Sequence, residues 1–175
     1  RLSFEGGQQT LKVNASEMVP RTTTGCAALA SVESTTNRVM TRVLDFDQTT
    51  AEFAQFTWTP PKSWDEGTVT AQFIWQTTAT GNVVWNIAGL ALSDDDVIDT
   101  AFGTAIAVTD GVTATTDVMI SAYTAAITIA GTPASEDVVT FQVSRDAANG
   151  SDTVAADARL IAVRIKYTVN AADDS

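Results

Sequence analysis

The sequence predicts an all-β protein: an antiparallel β-sandwich of jelly-roll type over residues 37–175, preceded by an irregular N-terminal arm or edge-strand segment at residues 1–36. Three observations carry this. The chain of 175 residues holds 28 Thr, 27 Ala and 18 Val, a β-branched and small-residue bias with few long helix-forming side chains. From about residue 37, apolar and polar residues alternate with period two, as they do in strands with unlike faces. Turn residues punctuate these runs roughly every 10–15 positions, which suits a two-sheet sandwich and leaves no room for βαβ units.

The elements follow in order. Residues 1–36 dilute the alternation with Gln8, Gln9, Asn14 and Thr22-Thr23-Thr24-Gly25, although Leu11 to Val13 suits an edge strand. Asn37 to Phe46 sets Met40, Leu44 and Phe46 on one face and Val39 and Val43 on the other, so both faces are expected to be covered. Phe53 to Thr59 aligns Ala54, Phe56 and Trp58. Thr68 to Gln76 aligns Val69, Ala71, Phe73 and Trp75 against a wet face of Thr68, Thr70, Gln72 and Gln76. Val83, Trp85 and Ile87 continue the pattern, and Gly89 marks a bulge or a close contact. Weaker strands are expected at Ala105 to Thr109, Asp117 to Tyr123 and Ala125 to Ile129. Val138 to Arg145 turns Val139, Phe141 and Val143 inward, and Arg159 to Val169 reads as a central strand. Asp110-Gly111, Gly131-Thr132-Pro133 and Asn149-Gly150 signal turns, the last a hairpin. The double proline Pro60-Pro61 stands outside any sheet, because it removes two ladder donors. Ser93 to Thr100 is the one helical candidate, with Ser93 as cap and Asp94, Asp95 and Asp96 at its positive end.

Composition also narrows function. Ten Lys and Arg against 21 Asp and Glu give a net charge of -11, which repels phosphate backbones and anionic lipid; neither nucleic acid nor membrane is an expected partner. No apolar run is long enough to span a bilayer as a helix. There is no His and one Cys, Cys26, so Ser-His-Asp and Cys-His nucleophile systems, His-ligated metals and an intrachain disulfide are all excluded. The chain is not expected to be an enzyme or to carry a cofactor or metal.

Candidate groups have bland readings. Asp94, Asp95, Asp96 and Asp99 crowd carboxylates as calcium loops do, but lack the alternate spacing and the glycine of an EF-hand, so a capped turn is expected. Cys26 has no adjacent base and reads as a small buried hydrophobe. Trp58, Trp75 and Trp85 sit in the inward register of their strands. A buried Trp removes ~150–250 Å² from water, worth about 4–6 kcal/mol gross, so these three are assigned to the core. Trp64, in the loop after Pro60-Pro61, is the possible ligand or subunit contact; local packing is its alternative. Arg145, Arg159 and Arg164 lie in strands and are expected to pair with Asp146, Asp157 or carboxylates of a neighbouring subunit.

Several segments together resemble a family of virion-associated proteins of tailed bacteriophages and prophages. They are Met18-Val19-Pro20-Arg21-Thr22-Thr23-Thr24-Gly25-Cys26, Leu44-Asp45-Phe46-Asp47, Ala54-Gln55-Phe56 and Pro61-Lys62-Ser63-Trp64-Asp65-Glu66-Gly67-Thr68. Val83-Val84-Trp85, Ser93-Asp94-Asp95-Asp96, Ala101-Phe102-Gly103-Thr104-Ala105, Ala126 to Pro133 and Asp152 to Leu160 belong to the same set, so the resemblance runs from about residue 12 to near the end. It implies a structural protein of the virion surface: a capsid decoration protein, head fibre or tail appendage without catalytic residues. It further implies a homo-oligomer, expected to be a trimer, attached to other virion proteins such as the major capsid protein. The alternative is a carbohydrate- or receptor-binding module of a phage fibre or spike that contacts host surface glycan, with Trp64 and its neighbouring loops as the contact.

Overall fold

The computed structural model describes residues 6–173 and contains eleven strands and one short 3-10 turn, Ala15–Glu17. The strands are β1 (Gly7–Asn14), β2 (Val19–Pro20), β3 (Ala30–Glu33), β4 (Met40–Phe46), β5 (Phe53–Trp58), β6 (Thr70–Gln76), β7 (Asn82–Leu92), β8 (Ile106–Gly111), β9 (Met119–Ile120), β10 (Val138–Arg145) and β11 (Ala158–Val169). One sheet runs β3-β4-β11-β6-β9 and the other β2-β5-β10-β7-β8, with every pairing between named strands antiparallel. The connections β4 to β5, β6 to β7, β8 to β9 and β10 to β11 each cross between sheets. Stripped of β1, β2 and β3, the orders β4-β11-β6-β9 and β5-β10-β7-β8 are the two interlocked four-strand sheets of a jelly roll.

The first 36 residues supply three strands, each at a sheet margin. β3 lies outside β4 and β2 outside β5. β1 continues the line of β4: β4 pairs with Ala158 to Leu160 of β11, and β1 pairs with Ala162 to Val169. β11 is therefore central, as its alternation predicts, with β6 along its other side. The register between β11 and β6 shifts between Leu160 and Ala162, a bulge that keeps Leu160 and Val163 both in the core.

Between the sheets, Phe73 stacks on Trp85 at 5.2 Å, with Phe46 and Trp75 edge-on to the same indole. A second group joins Trp58 to Phe141, Tyr167 and Trp64. These rings fill the space that the alternation of β5, β6, β7 and β10 leaves between the layers. Gly89 is a point of close approach within a continuous β7, not a bulge: a Cβ there meets Ile129 Cγ1 and Phe141 Cε1, both at 3.1 Å.

Arg145 at the end of β10 has no exposed surface, and all five of its N–H groups are used. Nε and Nη2 donate to the two carboxylate oxygens of Asp152 at 3.0 and 2.7 Å. Nη2 also donates to the Val154 carbonyl at 2.7 Å, and Nη1 to those of Ala156 at 2.7 Å and Phe46 at 3.4 Å. Asp152 Oδ2 also accepts the Val84 amide at 3.0 Å. One ion pair thus fastens the β10 to β11 crossover onto β7 and the end of β4. Its acceptor is Asp152, where the sequence suggests Asp146, Asp157 or a carboxylate of a neighbouring subunit.

Several expectations need correction. Met40 and Val39 are 56% and 61% exposed, because β11 reaches only as far as Leu44 along β4. Ser93 to Thr100 is a series of turns. Asp95 has φ +67, which breaks a right-handed helix, and Val97 and Ile98 are exposed, so a helix there has no apolar face to bury. Asp110 and Gly111 lie inside β8, paired with Val83 and Asn82. Residues 125–129 make one isolated bridge, Ile127 to Val69, and form no named strand. The Asn149-Gly150 turn joins strands of different sheets and is no hairpin.

Candidate functional site

The outer face of the β11 sheet carries a cleft of about 440 Å³. Its floor comes from four adjacent strands, each giving an outward residue: Val32 from β3, Thr41 from β4, Arg159 from β11 and Gln76 from β6. Outward placement follows from the pleat, since Leu160 and Trp75 next to Arg159 and Gln76, and Leu44 three positions along from Thr41, face the core. Two short segments raise the walls. The turn from β3 to β4 brings Ser34, Thr35 and Val39, tied by the Ser34 amide to the Val39 carbonyl and the Val39 amide to Ser34 Oγ, both at 2.9 Å. Arg38 in that turn has φ +57. The chain before β9 brings Thr116 and Val118, and the Thr116 amide donates to the Thr77 carbonyl at 2.8 Å.

The cleft mixes aliphatic walls with polar groups. Val32, Val39 and Val118 are its apolar surface. Thr77 is held by its hydroxyl on the Asp157 carbonyl at 2.9 Å; Gln76, buried at 9% exposure although the sequence sets it on a wet face, and the part-exposed Arg159 complete the polar lining. Arg159 Nε lies 3.6 Å from Asp45 Oδ1, its neighbour across the strands, a distance of attraction rather than hydrogen bonding. Burial raises the Asp45 carboxyl above its ordinary value, opposed by Arg159 and reinforced by Asp157. At the rim Arg38 pairs with Glu33 at 2.9 Å. Each of these two cations thus has a carboxylate beside it. Chemically it offers donors and acceptors on an aliphatic frame, suited to holding an uncharged polar ligand.

The residues singled out from sequence lie elsewhere, apart from Arg159. Trp64 is 1% exposed, with its ring against Trp58 at 5.4 Å and its backbone bridged to Val169. The double proline folds this loop back: Pro61 accepts the Trp64 amide at 3.0 Å, and the Ser63 carbonyl takes the Asn170 amide. The indole has no open face for a sugar or a neighbouring chain, so local packing describes it. Cys26 is buried, and burial with the nearby Glu52 pushes its thiol up to about 12. Asp96 Oδ2 accepts the Ser93 amide at 2.8 Å, a capped turn as expected. Among the described residues no three acidic or thiol groups converge to hold a metal. Arg164 donates to Gln72 at 2.9 Å. The cleft had no short-range signal: its parts come from residues 32 to 159 and meet only through sheet order.

No protein-family model matches the sequence, and no curated protein sequence is significantly similar to it. Among solved structures, a Paenibacillus sp. cycloisomaltooligosaccharide glucanotransferase aligns with TM-score 0.47 and 12% identity over 87% of this chain and 17% of its own. The enzymatically active domain of a tailspike protein of bacteriophage CBA120 aligns with TM-score 0.39 and 12% identity, covering 89% of this chain and 19% of its own. A family 11 carbohydrate-binding module from Clostridium thermocellum aligns with TM-score 0.37 and 6% identity over 96% of this chain and 91% of its own. The chain spans less than a fifth of the length of the first two.

Proposed function

We propose that this chain is a non-enzymatic module of the surface of a tailed-phage particle, and that the cleft on its β11 sheet recognises a neutral saccharide. The observation that carries the binding half is the cleft itself: the amide of Gln76 and the guanidinium of Arg159 line it beside three valine walls. Its volume falls in the ~300–1,000 Å³ range of small-ligand sites. Flat amide and guanidinium groups reach two vicinal hydroxyls at once, and valine methyls cover the C–H face of a sugar ring. Pairing of Arg159 with Asp45 and of Arg38 with Glu33 favours an uncharged ligand over an acidic one. Calorimetric titration with neutral oligosaccharides, chosen from a glycan array, tests this. Gln76→Ala and Arg159→Ala are each expected to weaken binding about tenfold or more, while Trp64→Phe leaves it unchanged. Undiminished binding by both cleft variants, or no saccharide bound at all, overturns the assignment.

The virion half rests on the sequence segments from Met18 to Leu160 and extends to a second reading in which the module only decorates or braces the particle. Exposed Val39, Val118 and Ile120 favour it, since aliphatic side chains at 61%, 56% and 50% exposure suit a protein contact. Electron microscopy of particles labelled through this chain separates head, fibre and tail positions, and absence of label from the particle refutes both readings of place.

A further inference from the structure

Among the described residues of this acidic chain the outer face of the β11 sheet holds four cations, Lys12, Arg159, Arg164 and Lys166. Arg159 pairs with Asp45; Lys12, Arg164 and Lys166 have no carboxylate partner among the described residues. Lys12 and Arg164 stand directly opposite each other in the β1–β11 ladder, and Lys166 is one outward position along. Opposed side chains have Cβ atoms ~4.5–5.5 Å apart, and like charges so placed repel. Gln72 accepts from Arg164 and Tyr123 lies under the Lys166 ammonium at 3.8 Å, which holds both side chains in position without neutralising them. Toward the cleft, Ile120 pairs with Ile74 and is half exposed. The face is therefore a cationic patch bordered by an aliphatic one, on a molecule of net charge -11.

The chain carries the complementary surface itself. The loop after β7 presents Asp94, Asp95 and Asp99, all exposed and without an ion pair, around Val97 and Ile98 at 71% and 84% exposure. It is held in shape: Asp96 Oδ2 takes the Ser93 amide, the Asp96 amide donates to the Ser93 carbonyl at 3.2 Å, and Thr100 Oγ1 donates to the Val97 carbonyl at 2.6 Å. A preformed acidic loop with two bare aliphatic side chains matches a cationic face with bare aliphatic side chains beside it. A polyanionic saccharide would match the cations alone and leave both aliphatic groups uncovered.

We propose that the outer face of the β11 sheet is a self-association surface that receives the Asp94 to Asp99 loop of a second copy. Face and loop are different patches, so the contact can run head to tail from copy to copy; the proposal is that it does so and closes as a ring, whose smallest form beyond a reciprocal dimer is a trimer. The surface adjoins the cleft, and its test reads association and not saccharide binding, so the two readings fail separately. Sedimentation velocity on the full chain at micromolar concentration is expected to give a trimer that dissociates as salt rises. Lys12→Glu with Lys166→Glu, and separately Asp94→Lys with Asp99→Lys, should each give a monomer with an unchanged circular dichroism spectrum. All four reversals in one chain restore complementarity and the trimer. A wild-type monomer at every salt concentration overturns the proposal, as does a trimer that survives either reversal, or a folded four-reversal chain that stays monomeric. A monomer that binds polygalacturonate through Lys12 and Lys166 overturns it in favour of a polyanion site.

Discussion

Replacing Arg145 by Ala removes one side of the most densely bonded group in the molecule. The guanidinium is wholly buried, and its five donors satisfy both Asp152 oxygens and the carbonyls of Phe46, Val154 and Ala156. The variant leaves Asp152 charged at 2% side-chain exposure, held only by the Val84 amide, with three carbonyls deprived of a donor. Breaking a buried pair from one side costs about 3–5 kcal/mol, and the volume lost adds to this. For a domain of this size each kcal/mol lowers Tm by roughly 2–4 °C, so a fall of roughly 6–20 °C is expected. Urea and thermal unfolding followed by Trp fluorescence measure it. Arg145→Met with Asp152→Leu removes the stranded charge but not the orphaned backbone groups, each worth about 1–3 kcal/mol, so it should recover only part of the loss. A single-variant cost below about 1 kcal/mol, or full recovery in the double variant, refutes the view that this group clamps the crossover to both sheets.

Gly89→Ala drives a methyl against Ile129 and Phe141 at 3.1 Å and is expected to cost about 1–3 kcal/mol by overpacking, read as a lowered urea midpoint. Trp64→Ala should destabilise by about 3–5 kcal/mol, which denaturant titration checks. Cys26, with its thiol pushed up to about 12, should stay unmodified by a disulfide reagent at pH 8 until the protein is unfolded. Its raised folded value means the native state keeps a proton that the unfolded state releases. Its contribution is therefore intact below the unfolded thiol's 9.0 and lost as pH climbs toward 12; a Cys26→Ala variant should show a shallower alkaline decline.

Where a strand has unlike faces, the alternation alone locates it. β10 spans Val138 to Arg145 as its pattern predicts, because Val139, Phe141 and Val143 enter the core while Thr140 and Gln142 remain half exposed. The central place of β11 was legible for the same reason. Loops carry no such periodic constraint. Trp64 follows a double proline that resembles an exposed turn, yet bonds to Pro61, Ser63 and Thr168 carry the segment back over β11. At Met40, a strand-like pattern outruns β11 while β3 still pairs along the other side, and pattern does not report where a neighbour stops. The cleft was the least legible feature, since only sheet order brings Val32, Gln76 and Arg159 together.

The pairing of Gly7 with Val169 has a consequence for modularity. The first and last strands of the described chain run side by side in one sheet, so the domain can be spliced into a surface loop of another protein without prising its host apart. The same proximity makes it a candidate for circular permutation. A short Gly-Ser bridge between the ends, with new termini opened at the Asn149-Gly150 turn, should leave both sheets closed.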